Sequence, residues 1–434
     1  MSEPSYLPGS GLNRRSARLL SGLAGLSAVA LLTAWWYTTH ANPIVNIPNP
    51  VLPTPNAFDF YVKAADAITG TKQINEADTD RPTVRYTLAQ KEAIVRQNAD
   101  VIDTLHTGFA SSYLNPPNRS FSTDTAYYSK FRMAAHLLSL QGQVRAEEGD
   151  WGGAAESYLD AMRMGADIPH GSPISGALIG ISCQSIGRRQ MGKIVEHLNA
   201  EQSRAAAKRL AGIMDRHVPF ADSIQEEKWQ VQAELMELFE NRLPQPTSTE
   251  TQDDSAGPRA FSMAELLYFF ASKKRIMHDF TAYMDQSAQQ ARRPYSLHLP
   301  PPHEPTDIIN MILLPVFMNS RLGEVNCETQ NGFLLVSLAL HAYRLEHGHY
   351  PATLTELTSG YLSRLPVDPF TGQGTFKYRV KGKSYTLYSV GPDGKDDGGK
   401  PIDDPKRIVG SHPESRYNIH DNSLGDVVAG KNTW

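Results

Sequence analysis

The stretch NGFLLVSLALHAYRLEHGHYP, residues 331–351, decides the fold. It is apolar on most faces as far as Tyr343, then meets Gly348 and, just beyond, Pro351, the residues that stop a helix and keep it stopped. A mostly buried helix with a sharp end is predicted. After a short helix near ATLTELTSGYL and the turn LPVDPFTGQG come TFKYRV (375–380) and YTLYSV (385–390). Both alternate, and the KGKS between them contains a glycine, so they predict a β-hairpin. The second strand runs into YSVGPDGKDDGGKPIDDP (388–405), which places five Asp and four Gly between Gly391 and Asp404.

Upstream the pattern is helical. AFDFYVKAADAI and TLAQKEAIVRQNADVIDTLHTGF carry apolar residues at helical spacing. The segment from Tyr127 to Ile168 predicts two helices joined at Gly149-Asp150. Further helices are expected at about 174–198, 200–216 and 219–242, with Asn199 capping the second and Gln202 completing a capping box. Residues 244–260 are a polar, turn-rich linker, 261–291 another helix and 297–305 a proline break. Gly142, Ala154, Tyr158 and Ala161 resemble the small and aromatic positions of a single tetratricopeptide-like hairpin. With one copy and no repeated period, a solenoid does not follow.

From Leu19 to Tyr37 no residue is charged. Nineteen helical residues nearly span the ~30 Å hydrocarbon core, and Arg14, Arg15 and Arg18 lie on one side only. A single-pass inner-membrane anchor with a cytoplasmic N-terminus is therefore expected, a cleaved signal peptide ending at Ala41 being the alternative. Residues 38–57, with prolines and no formal charge, form an extended spacer. The domains expected are a cytoplasmic N-terminus (1–18), an anchor (19–37), the spacer, an α-helical domain (58–325) and a C-terminal domain (326–434). The fold class is thus α+β: an N-terminal transmembrane helix, a mainly α-helical ectodomain and a small C-terminal module of a helix plus an antiparallel β-sheet.

Composition removes several function classes. The formal charge of −4 over 434 residues gives no electrostatic reason to bind nucleic acid. Two cysteines, Cys183 and Cys327, are too few for a disulfide scaffold. They are expected as separate buried thiols, one disulfide being the alternative. His341, His347 and His349 lack the HExxH pattern of a zinc protease, and no nucleophile elbow, phosphate loop or dinucleotide fingerprint occurs. No catalytic residue, cofactor-binding residue or small-molecule substrate is identified. The aromatic and Met residues of FSMAELLYFFASKKRIMHDFTAYM are expected in a core.

The ordered pieces of residues 333–400 resemble the globular domain of type II secretion major pseudopilins. They are Tyr343, the Gly348/Tyr350-Pro351 helix end, Leu365-Pro366, Asp368-Pro369-Phe370, Tyr378 in a strand, and Tyr388-Ser389 leading into Gly391-Pro392-Asp393-Gly394. The resemblance implies a helix packed on a small sheet, a structural role in assembly, and a loop that holds a stabilising calcium ion. Carried over, its metal ligands are Asp393, Asp396 and Asp397, with Asp403 and Asp404 as alternatives because the acidic pair arrives early. The family's Gly-Phe cleavage site and helix Glu have no counterpart, so neither prepilin processing nor fibre packing is implied. Asp and Gly also dominate ordinary turns, and the spacing is not that of an EF-hand. The function expected is that of a membrane-anchored bacterial envelope protein acting through protein interaction, with envelope or secretion-system partners. The alternative is an anchored extracytoplasmic hydrolase with its site in the helical domain.

Overall fold

The computed structural model describes residues 25–37, 41–79, 84–122, 125–241, 272–295, 299–300, 302–305, 318–408 and 412–432. The linker expected at 244–260, residues 261–271 of the following helix and residues 1–24 lie outside them. The chain divides into two compact units. One comprises Met1–Asn46, Leu235–Thr281 and Pro305–Leu314; the other holds the rest of the chain.

In the first unit, helix α1 covers 25–37. The membrane expectation is corrected here. The described part of this helix, 25–37, accounts for roughly 20 Å at about 1.5 Å per residue. Among the described residues no helix is long and apolar enough to cross a membrane. The transmembrane part of the fold class and the single-pass inner-membrane localisation are withdrawn with it. What the structure does show is a mainly helical fold with one small antiparallel sheet. Also in this unit, Lys273 Nζ donates to the Phe239 carbonyl at 2.8 Å and to Asn42 Oδ1 at 3.0 Å.

The second unit begins with α2 (Ala57–Ala67), α3 (Thr71–Ala77), α4 (Leu88–Gln97) and α5 (Ala99–Phe109). Periodicity alone suggests one helix through the last two. The buried Asn98 breaks it, because its side chain accepts from Thr69 N at 2.9 Å and donates to the Ile94 carbonyl at 2.9 Å. Then come α6 (Tyr127–Glu147), α7 (Trp151–Asp167), α8 (Ile174–Ile194), α9 (Ala200–Met214), α10 (Phe220–Asn241) and α11 (Lys273–Ala291), the last two shared with the first unit. Asp150 caps α7 by accepting from Gly153 N at 2.9 Å, after the left-handed Gly149 has turned the chain. The capping box of Asn199 and Gln202 starts α9 as its sequence predicts.

Glycine sets the distances between these helices. A Cβ on Gly142 would lie 2.4 Å from the Tyr158 ring, so the ring of α7 occupies the space that α6 leaves open. A Cβ on Gly165 would meet the Gly180 carbonyl oxygen at 2.5 Å, and one on Gly187 the Tyr158 carbonyl oxygen at 2.3 Å. These obstacles are backbone atoms and cannot rotate away. Under the bundle, the buried Asp167 accepts from Tyr61 OH at 2.8 Å and pairs with Arg163 and Arg216, which satisfies its charge and ties α2 to the end of α9.

The long helix α12 (Met318–His347) follows, starting earlier than the 326 boundary predicts. It ends at Gly348, whose φ of 76° and N–H to the Arg344 carbonyl form the expected stop. Strands β1 (Lys377–Lys381), β2 (Ser384–Ser389) and β3 (Val427–Val428) make an antiparallel sheet in that order. Lys381 faces Ser384, so the hairpin turns on two residues, with Gly382 at φ 59°, rather than on the four of KGKS. One apolar core contains Leu159 and Met191 of the bundle, Val336 and Leu340 of α12, and Leu387 and Val427 of the sheet.

Gly165→Ala and Gly187→Ala should each destabilise the fold by about 1–3 kcal/mol through overpacking. Gly192→Ala and Gly212→Ala, where an added Cβ meets nothing within 4 Å, should instead stabilise by up to about 1 kcal/mol. Denaturant melts of the four variants distinguish the two groups; equal effects would show that the glycines do not set the helix spacing.

Candidate functional site

The loop that carries the expected calcium ligands closes on its own backbone. Asp393 Oδ1 accepts from Lys395 N at 3.1 Å. Asp396 Oδ1 accepts from Tyr388 OH at 3.1 Å and Gly398 N at 3.0 Å, and its other oxygen lies 3.7 Å from Lys377 Nζ. The bond from Gly398, with Tyr388 and Lys377, holds this carboxyl below the usual range. Asp397 contributes its N–H, at 3.2 Å, to Asp426 Oδ1.

Asp426 is the residue that the sequence does not announce. Fully buried next to β3, it also accepts from Gly399 N at 2.6 Å and so clasps the loop from beneath. Burial raises its pKa; the two N–H groups oppose the shift, and the charges of Asp396 and Asp397 add to it. Of the alternatives, Asp403 pairs with Arg416, while Asp404 caps Lys406 N and binds Arg407 Nε at 3.1 Å. Both therefore have other partners. Asp393, Asp396 and Asp397 do not form a three-ligand group with atoms within 4.8 Å of one another.

Most of the other motif residues serve packing. Tyr378 OH donates to the Pro351 carbonyl at 3.0 Å, Tyr343 OH to Glu356 at 3.0 Å, and Ser389 Oγ to the buried Asp368 at 2.7 Å. His341 is buried with Nε2 2.9 Å from the Leu198 carbonyl, and His347 stacks on Tyr343 at 4.1 Å. Both cysteines are buried and free, as two separate thiols. Burial pushes the Cys183 thiol up to about 12, which makes it a poor nucleophile.

In the helical region Asp78, His136 and Ser139 come together, the three residue types of a hydrolytic triad. Their bonding is wrong for one. Ser139 Oγ donates to Asp78 Oδ1 at 2.6 Å, and His136 Nδ1 meets Asp78 Oδ2 at 2.6 Å, so serine and histidine share the carboxylate. The hydroxyl is fully buried and has no bond to the base that would activate it.

A cleft of about 580 Å³ opens between the bundle and the segment Leu362–Pro369, within the range of ligand pockets. Gln184, Cys327 and Asn331 line it, with Asn331 Nδ2 2.7 Å from Gln184 Oε1, and Arg188 Nη1 donates to Asn331 Oδ1 at 2.9 Å. Arg292, Arg293, Arg321 and Arg364 line it. Arg292 and Arg364 are paired to Asp222 and Asp215. Arg321 Nη2 donates to the Arg293 carbonyl at 2.7 Å, but its buried Nε and Nη1 have no hydrogen-bond partner, Nε lying 3.6 Å from Glu324 Oε2.

On the same wall, Glu324 and Glu328 stand one turn apart on α12, and His217 reaches them from the turn between α9 and α10. His217 Nε2 lies 2.6 Å from Glu328 and 3.6 Å from Glu324. Glu324 Oε1 also accepts from Phe220 N at 2.6 Å, a carboxylate at the N-terminus of α10. Burial, then the charge of Glu328, pushes Glu324 up to about 7, against the opposing effects of Arg321, His217 and the Phe220 N–H. Burial works against a protonated His217 ring, yet the bond to Glu328 and the charges of Glu328, Glu324 and Asp222 outweigh it and raise its pKa. Among the described residues these three are the group whose ligand atoms all lie within 4.8 Å of one another. The sequence contains Glu324 and Glu328 at helical spacing, but nothing in it brings His217 to them.

No protein-family model, curated protein or solved structure matches this chain.

Proposed function

We propose that this chain is a binding protein without catalytic activity, which takes a carboxylate-bearing peptide segment of a partner protein into the cleft and so acts in protein assembly. The observation that supports this reading is the arginine wall of the cleft: Arg292, Arg293, Arg321 and Arg364 line it, and Arg321 keeps two buried nitrogens without a hydrogen bond, one of them only ion-paired to Glu324 at 3.6 Å, so the wall favours an anionic group. The helix of the pilin-like module is covered by the bundle on one side and by its own sheet on the other. It has no free long face for a fibre, so its part in this reading is to wall the cleft. The hydrolase alternative is weaker because Ser139 is bonded to Asp78 and not to His136.

Calcium enters the reading as a stabiliser of the module. Asp426 supplies a further carboxylate beneath Asp396 and Asp397, and a divalent cation would relieve the repulsion among the three.

Two experiments test this. A fluorescent glutamate-rich peptide should bind the full chain at low salt, more weakly at high salt, and about tenfold more weakly to Arg321→Gln. No binding by the unaltered chain, or equal binding by Arg321→Gln, would contradict the assignment of the cleft. Separately, millimolar calcium should raise the melting temperature, and a variant with Asp393, Asp396 and Asp397 all changed to Asn should not respond. A melt that calcium leaves unchanged removes the ion from the account.

A further inference from the structure

We infer that His217, Glu324 and Glu328 form a site for one divalent transition-metal ion of the zinc class, at the wall of the cleft. This goes beyond peptide binding and does not depend on it, since the ligands are groups of the chain itself.

The donor set is one imidazole nitrogen and two carboxylates. Zinc is held at about 2.0–2.2 Å by such ligands, so tetrahedral donors stand roughly 3–3.5 Å apart. His217 and Glu324 are at 3.6 Å already. His217 and Glu328, hydrogen-bonded at 2.6 Å, need only open by less than about an ångström, which a half-exposed glutamate does by side-chain rotation. The scaffold under them is fixed. Glu324 and Glu328 share one face of α12, a helix buried along most of its length, and the Phe220 N–H orients the Glu324 carboxylate while leaving oxygen lone pairs for an ion.

Three protein ligands with the remaining direction open to a cleft is the pattern of a metal that also takes an exogenous ligand. The nitrogen donor and the small ligand number favour a transition ion over calcium or magnesium, which want six or more oxygens or a retained water shell. An ion here would also neutralise the two glutamates that face the arginine wall. The cleft would then be uniformly attractive to an anionic group.

The test uses the full chain, stripped with a chelator, exchanged into metal-free buffer, loaded separately with zinc, manganese, calcium or magnesium, and passed through gel filtration before elemental analysis. Zinc should remain at about one ion per chain, with magnesium lost and any calcium retained by the C-terminal loop unchanged in His217→Ala. Cobalt should give the intense visible absorption of a four-coordinate centre. His217→Ala and, as a variant that keeps the volume of the side chain, Glu328→Gln should each reduce retained zinc at least about tenfold while leaving far-UV circular dichroism unchanged. His349→Ala, which alters an exposed histidine elsewhere, should retain the full equivalent. Less than about a fifth of an equivalent in the unaltered chain, or full retention in a folded Glu328→Gln variant, would overturn the site. Because retained zinc is read without peptide, loss of this site and failure of peptide binding are separate results.

Discussion

The structure of the second unit depends on the burial of α12 from two directions. Val336, Leu338, Ala339 and Leu340 are fully buried, and Phe333, Leu334 and Leu335 nearly so. A surface helix needs one apolar stripe; a helix apolar all round has to be covered on all sides. Helices α8 and α9 cover one side, and β2 with the turn Leu354–Thr358 covers the other. At roughly 1.5–3 kcal/mol for each large apolar side chain buried, the six other than Ala339 contribute gross stabilisation comparable to the ~5–15 kcal/mol net stability of a whole domain. Polar ties follow the same division. His341 bonds to the Leu198 carbonyl on the bundle side, and Ser337 accepts from Tyr385 on the sheet side at 3.1 Å.

That constraint explains why the candidate site lies where it does. A helix held between two layers brings its N-terminal turns, with Arg321, Glu324 and Glu328, to the edge where the bundle and the module diverge. The cleft is the gap they leave. Its polar groups come from α8, the α9–α10 turn, the end of α11, α12 and the Leu362–Pro369 segment, five stretches separate in sequence. Elsewhere in this unit buried charges such as Asp167 and Asp78 are surrounded by donors. Arg321 is served less fully: two of its buried nitrogens lack a hydrogen bond, and Nε has only the Glu324 carboxylate at 3.6 Å.

How much of this was legible in the sequence follows from the range of each interaction. The stop at Gly348, the capping box at Asn199 and the fit of Gly142 to Tyr158 are local or near-local, and residue spacing revealed them. So did the hairpin, although its turn is two residues tighter than the composition of KGKS suggests. The break at Asn98 escaped because it depends on a side chain bonding to Thr69, outside the helix. Strand β3 and Asp426 escaped because a two-residue strand has no periodicity and its partner loop ends some thirty residues earlier. His217 carries no local motif, and only the packing of α9 against α12 gives it neighbours. For the run Leu19–Tyr37 composition promised a membrane span, whereas among the described residues, which include 25–37 of it, no helix is long and apolar enough to cross a membrane.

The central claim is that bundle, α12 and sheet are one cooperative body. Native-state hydrogen exchange measured across a denaturant series tests it most directly, by comparing amides of Ala206–Leu210 in α9 with those of Thr386–Tyr388 in β2. Shared burial of α12 predicts that the most protected amides of both segments open with the same free energy and the same denaturant dependence. Opening of the strand amides at markedly lower free energy, with α9 still protected, would contradict it.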